Sequence, residues 1–230
     1  MKQSLLIIIL FVLTHFLSYS QIKKGDILFD LNGSYVESTS GSGVSVSNYW
    51  SKNKSLNTFF SVGYSISNSF VAGVGVGYTH LKENRNYTFL YSNNFMLAEQ
   101  MKIKSSIVSP LIYFKYYKLM FGKLLFSANL SSSFGFIDLD TESVSAGRTS
   151  LIQNTNLSPF NDSYTEKNKS NNLVVSLEPE FSYFLTERWG VLMKIGGIKY
   201  YSYDFEDHDW TISFNPNKWE YGVFLKLGKK

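Results

Sequence analysis

Three histidines, no cysteine and a set of opposite charges that recur at even spacing define the chemistry open to this 230-residue chain. Without cysteine there is no disulfide, no thiolate zinc site and no thiol nucleophile. His15 sits in an apolar N-terminal run, which leaves His80 and His208. His80, close to Glu83 and many serines, is the candidate base for a lipid-modifying enzyme, which needs Ser or Thr activated by His. No nucleophile elbow, Gly-rich phosphate loop or paired His metal motif accompanies it. Asp204-Phe-Glu-Asp-His-Asp-Trp210 gathers oxygen ligands that suit Ca²⁺, but the spacing is not that of an EF-hand. A solvated acidic turn is the simpler reading. No metal and no cofactor are expected.

The larger constellation is Asp26, Asp30, Glu178, Glu180 and Glu220 against Lys115, Lys123, Lys194 and Lys226. Each lies in a stretch where apolar residues alternate with polar ones, so all nine project from one face of their strands. Charges of both signs on the inner face of a narrow barrel predict a buried ion-pair network, because pairing offsets most of the cost of taking them out of water. A structural plug is the first expectation and a proton or ion path the second.

The elements that would position these residues have a period of two, which marks strands. In Lys218 to Gly228, the residues Trp219, Tyr221, Val223, Leu225 and Leu227 form an apolar face opposite Glu220, Gly222, Phe224 and Lys226. Phe70, Ala72, Val74, Val76 and Tyr78 oppose Gly73, Gly75 and Gly77. Leu173, Val175, Leu177, Phe181 and Tyr183 oppose Ser176, Glu178, Glu180 and Ser182. Leu124, Phe126, Ala128 and Leu130 oppose Lys123, Ser127 and Asn129, and Ile27, Phe29 and Leu31 oppose Asp26 and Asp30. Strands near 55–66, 103–117 and 189–203 bring the count to eight. Short connections are expected at 67–69, 118–122 and 186–188, and long polar loops at 37–54, 82–102, 137–171 and 204–217. Aromatics flank two of the short turns at the same spacing, Tyr64…Phe70 and Tyr183…Trp189.

An aromatic fraction of 17% with near-neutral hydropathy suits a transmembrane barrel, whose lumen face is polar, better than a bundle of apolar helices. A soluble lipocalin-like barrel would carry its apolar face inside and would not need such unequal loops. The expected fold class is therefore all-β, an eight-stranded antiparallel transmembrane β-barrel with short periplasmic turns and long extracellular loops. Met1–Ser20 reads as a signal peptide, with Lys2, an apolar run from Leu5 to Leu13, and small Ser18 and Ser20 ahead of cleavage before Gln21. Residues 21–230 form the barrel domain. The dispersed net charge of +4 shows no basic stripe for nucleic acid.

Pro110 and Pro179 fall inside strands on the predicted lipid face, where each removes a ladder donor. They predict a bulge, or a lateral opening for a small apolar ligand. The loops, rich in Ser, Asn, Thr and Tyr, offer adaptable binding chemistry.

Phe60-Ser-Val-Gly-Tyr-Ser-Ile-Ser-Asn-Ser-Phe-Val-Ala-Gly73, Ser109-Pro-Leu-Ile-Tyr-Phe-Lys-Tyr-Tyr117 and Glu178-Pro-Glu-Phe-Ser-Tyr-Phe-Leu-Thr-Glu-Arg-Trp-Gly190 resemble the hairpins of the small outer-membrane barrels of Bacteroidota-type bacteria, architectural relatives of OmpX, OmpA and OmpW. The resemblance implies outer-membrane lipid and the outer-membrane assembly machinery as partners. Glu220, Gly222, Leu225 and Leu227 resemble the assembly signal of such proteins, although Gly228-Lys229-Lys230 replaces the usual terminal aromatic. The expected function is non-enzymatic: envelope structure or surface interaction through the loops around a plugged lumen. A conduit for apolar molecules and a lipid-modifying enzyme are the alternatives.

Overall fold

The computed structural model describes residues 22–44, 47–92, 95–149 and 158–228. The expected signal peptide and its cleavage site lie outside them. Ten strand segments form one antiparallel sheet: β1 (Ile27–Val44), β2 (Ser47–Ser65), β3 (Phe70–Ser92), β4 (Phe95–Phe121), β5 (Leu124–Thr149), β6 (Ser158–Phe184), β7 (Trp189–Lys194), β8 (Gly197–Tyr203), β9 (Asp207–Ser213) and β10 (Glu220–Leu227). Consecutive pairing from β1 to β6 continues through β7 and β10, and β10 returns to β1 with Ile27 opposite Leu227. The sheet is thus closed through eight strands.

The apolar side of the alternation faces out. Leu31, Phe60, Val74, Ile112, Leu130, Leu177 and Val223 are all exposed, while Leu28, Val71, Leu125, Leu192 and Phe224 are buried inside the ring. This is the reverse of a soluble barrel. The outward band is about nine to eleven residues tall on each strand, from Phe70 to Tyr78 on β3 and from Leu173 to Tyr183 on β6. With strands tilted, that is about 25 Å, the height of a hydrocarbon core. Aromatics edge it on both sides: Tyr64, Phe70, Tyr116, Tyr183 and Trp189 at the short turns, and Tyr35, Tyr78, Phe136 and Tyr221 at the other end. Phe70 and Tyr116 pack 5.1 Å apart across the β3–β4 ladder. Among the described residues no helix is long and apolar enough to cross a membrane.

Short turns join β2 to β3 at 66–69 and β6 to β7 at 185–188, near the expected positions, whereas the expected connection at 118–122 is strand up to Phe121 and turns at 122–123. The long polar loops do not form as loops over most of their length. β1 pairs with β2 up to Val44 opposite Ser47, β3 with β4 up to Ser92 opposite Phe95, and β5 with β6 up to Thr149 opposite Ser158. Residues 37–44 and 47–54, 82–92 and 95–102, and 137–149 and 158–171 are therefore paired arms standing above the apolar band. Hydrophobic alternation is weak there because few residues of either face are buried, Ser51 among the exceptions. Cross-strand polar pairs hold the arms instead. Lys52 meets Glu37 at 2.6 Å, Lys167 and Lys169 lie 3.8 and 3.9 Å from Asp140 and Asp138, and Ser51 Oγ of β2 donates at 3.1 Å to Glu83 of β3, which Arg85 of the same strand also grips.

The last long connection, 204–217, is half strand. Asp204 and Phe205 adopt left-handed φ of 48° and 62° in a tight turn, and β9 then pairs back on β8. Asp204 accepts from Asn171 N at 2.8 Å and Ser170 Oγ at 2.9 Å, which fastens the turn to β6. After β9 the chain leaves the sheet. Pro216, with no N–H and a fixed φ, starts a single 3₁₀ turn, and Trp219 Nε1 donates back to Phe214 O at 3.3 Å. In consequence, β1 above Gly33 pairs only with β2, and among the described residues no ladder joins it to β9.

Candidate functional site

The inward face stacks in layers. At the short-turn end, Leu28, Val71, Leu125, Phe184, Leu192 and Phe224 pack into an apolar plug, with Phe184 and Phe224 edge-to-face at 4.7 Å. Below it, Lys226 lies 3.8 Å from Asp26. Directly above, β4 directs Lys115 into the lumen between Asp30 of β1 at 2.5 Å and Glu180 of β6 at 3.1 Å. All three side chains are at least 97% buried, so this triad sits wholly out of water. Ser127 and Ser182 donate to Glu180 Oε1 at 3.3 and 3.2 Å, an oxygen that Lys115 Nζ also reaches at 3.3 Å. The strands place these residues together because a period of two puts Asp30, Lys115 and Glu180 on inner positions at one height.

A second ionic layer follows. Lys194 pairs with Glu220 at 3.1 Å and donates to Asn32 Oδ1 at 3.3 Å, while Lys199 pairs with Glu178 at 2.6 Å. The structure therefore gathers eight of the nine charged residues of the expected network, in separate layers rather than one cluster. Lys123 stands apart at the β4–β5 turn and makes no ion pair among the described residues. Lys199 takes the place of a fourth inner lysine, and strict alternation from Lys194 misses it. Between them Gly196, at φ 94°, and Gly197 form a bulge: Glu180 faces Lys194 but Leu177 faces Ile198, a slip of one residue. That slip reverses which face points inward. The adjacent glycines in the middle of an otherwise regular strand are the sequence signal for it.

The two prolines behave differently from expectation. At Pro110 the β4–β5 ladder skips Ser109 and Pro110, then resumes in the same register, with Val108 opposite Phe136 and Leu111 opposite Ser133. The result is a two-residue gap in pairing without a bulge. Pro179 remains opposite Ala128 of β5, and its carbonyl accepts from Ile195 N at 3.3 Å, so the bulge beside it belongs to the β7–β8 strand. A longer gap in pairing lies at the β1–β9 seam.

Above the ionic layers the ring encloses a cavity of about 840 Å³. Leu81, Ile103, Ile107, Ile137 and Leu139 make one apolar wall, Asn129, Asn172 and Lys199 reach it from the floor and sides, and Ser34, Val36, Thr211 and Ser213 flank it at the seam. Asn129 and Asn172 are more than nine-tenths buried, and each keeps an Oδ1 without a hydrogen-bond partner.

His80 points outward at the edge of the apolar band. It stacks on Tyr78 with centroids 6.5 Å apart, and its Nδ1 lies 3.1 Å from Ser106 Oγ. Among the described residues no carboxylate hydrogen-bonds to its ring, so the orienting member of a triad is absent from this pair. His208 is taken up by Tyr200, with Nδ1 and OH 3.0 Å apart, and among the described residues no cluster could hold a metal ion.

In the arms, the hydrogen bond from Lys52 holds the Glu37 carboxyl down at about 2, against an ordinary 4.5, with Tyr35 adding a second. Because the folded-state value is the lower one, the pairing is complete above about 4.5 and is lost as pH falls through about 2. NMR titration of Glu37 should give a midpoint near 2, and Lys52→Ala should return it toward 4.5.

The ring and its two faces define a closed antiparallel barrel with an apolar exterior and a charged, partly filled interior. No known family profile and no curated protein matches the sequence. Among solved structures, the chain is similar to the N-terminal β-barrel domain of Pseudomonas aeruginosa OprF, at 9% identity over 90% of this chain and 100% of that one, with a TM-score of 0.36. It is also similar to the outer membrane protein OprG from the same bacterium, at 14% identity over 92% of this chain and 100% of that one, TM-score 0.36.

Proposed function

We propose that the protein is a non-enzymatic bacterial outer-membrane β-barrel, exported by a signal peptide cleaved before Gln21, that serves envelope structure or surface interaction through its long arms. The observation that carries this reading is the reversed barrel: an apolar exterior band about 25 Å tall around a core of paired charges. The short turns face the periplasm and the paired arms face outward. The assembly machinery reads Glu220, Gly222, Leu225 and Leu227, and lipid covers the belt. The apolar plug and the Lys115 layer block conduction at the periplasmic end. The test is electrophoresis of outer-membrane fractions with planar-bilayer recording. Heat-modifiable migration without steady conductance is expected; a soluble, heat-insensitive protein or a stable channel contradicts the reading. Ser106→Ala and His80→Ala should leave membrane lipid profiles unchanged.

A second reading, a binder or conduit for small apolar molecules, is favoured by the cavity and by the unladdered β1–β9 seam beside it. Ile107→Trp, which fills the apolar wall, should reduce binding of an apolar fluorophore about tenfold. Unchanged binding sinks this reading.

A further inference from the structure

The outer surface just above the apolar band is not electrically even. Register places Lys54 of β2 opposite Lys82 of β3, and Lys82 opposite Lys104 of β4, on the outward side. One row higher, Lys52 and Lys102 flank Asn84. Like charges directly opposite one another in a sheet destabilise it. The neighbouring acids relieve only the ends of the row. Glu37 is shared by Lys52 at 2.6 Å and Lys54 at 3.5 Å, and Glu142 lies 4.0 Å from Lys104. Lys82, exposed between two lysines, makes no ion pair among the described residues. Such a crescent is stabilised by an anion with several oxygens.

Its height names the source of that anion. The row beneath Lys54, Lys82 and Lys104 is Leu56, His80 and Ser106, and the next is Thr58, Tyr78 and Val108. These residues are the edge of the apolar belt, where an aromatic marks the membrane interface. Across the rim, the turn into β9 and the start of that strand carry Asp204, Glu206, Asp207 and Asp209, and Lys167 and Lys169 of β6 are matched by Asp140 and Asp138, so the unmatched basic row lies on β2–β4.

Resting on the outer-membrane reading above, we propose that Lys54, Lys82 and Lys104 form a docking surface for the phosphate groups of an anionic lipid whose acyl chains lie against the belt below. The continuity of cationic row, interfacial aromatic and apolar strand face fits an amphiphile better than an acidic protein. Acyl chains engage Val76 and Ile112 while phosphates reach the ammonium groups.

The test reconstitutes the full protein in phosphatidylcholine bilayers containing labelled bisphosphorylated lipid A or its dephosphorylated form, and measures the lipid retained. The natural chain should prefer the phosphorylated lipid, and the triple variant Lys54→Gln, Lys82→Gln, Lys104→Gln should lose about tenfold in retention, less at high salt. Lys167→Gln with Lys169→Gln, which removes two cations from β6 outside the crescent, should leave retention within about twofold of the natural chain. Equal retention of both lipids, an equal loss in the β6 variant, or capture of an acidic peptide without phosphate preference overturns the proposal while leaving the barrel intact. Failure of the natural chain to insert overturns the barrel reading and this one together.

Discussion

Replacing Lys115 with alanine should destabilise the protein by about 3–5 kcal/mol, because it leaves Asp30 and Glu180 facing each other in a dry lumen with no cation between them. The three side chains are nearly fully buried, so solvent cannot screen the change. Urea unfolding of the refolded protein, followed by gel mobility, reads the effect directly. A second variant serves as the control. Adding Asp30→Asn and Glu180→Gln to Lys115→Ala removes the two orphaned charges and should restore much of the lost stability. If Lys115→Ala alone unfolds at the natural urea concentration, the triad is not what holds the lumen together. Lys123→Ala, at the turn and outside both ionic layers, should behave like the natural chain.

Val74→Arg should cost about 2–4 kcal/mol in a bilayer, since Val74 lies midway up the apolar band of β3 with Val62 and Ile112 on its flanks, all on the outer face. Val74 is 61% exposed, so in water the same substitution would be nearly neutral. The contrast between membrane and water is the useful signature. A Val74→Arg variant that folds into bilayers as stably as the natural chain would mean this face does not meet hydrocarbon.

These two positions also indicate how much could be read in advance. Period-two alternation is strong wherever one face is apolar, so the residues from Phe70 to Tyr78 and from Leu173 to Tyr183 declare both strand and face. The arms carry no such signal. Ser, Asn, Thr and charged residues sit on both faces of Glu37–Val44 and Lys167–Asn171, and only long-range partners such as Lys52–Glu37 and Lys169–Asp138 make them strands. Read locally, they are loops. Lys199 was hidden for a different reason: one bulged glycine pair reverses the parity of everything after it until the next turn. The seam is harder still, because it follows from β9 lying on β8 while Pro216 turns the chain away, which local composition does not encode.

The ionic layers and the cavity above them divide the molecule's work. The plug end contributes rigidity, with charges paired at 2.5 to 3.8 Å from Lys115 down to Asp26. The other end keeps open volume, unpartnered amide oxygens and the basic crescent, so any ligand chemistry belongs to the half opposite the short turns.

Because the chain has no cysteine, single-cysteine spin labelling can ask without background which face of the barrel meets lipid. Labels placed one at a time at Val74, Leu177 and Val223, and at Val71, Ser127 and Phe224, would be compared in bilayers for relaxation by oxygen and by a water-soluble nickel complex. Strong oxygen and weak nickel effects are expected at the first three, and no lipid-like oxygen signature at the second three. Labels at Val74, Leu177 and Val223 that respond to nickel as surface residues do would contradict the reversed barrel.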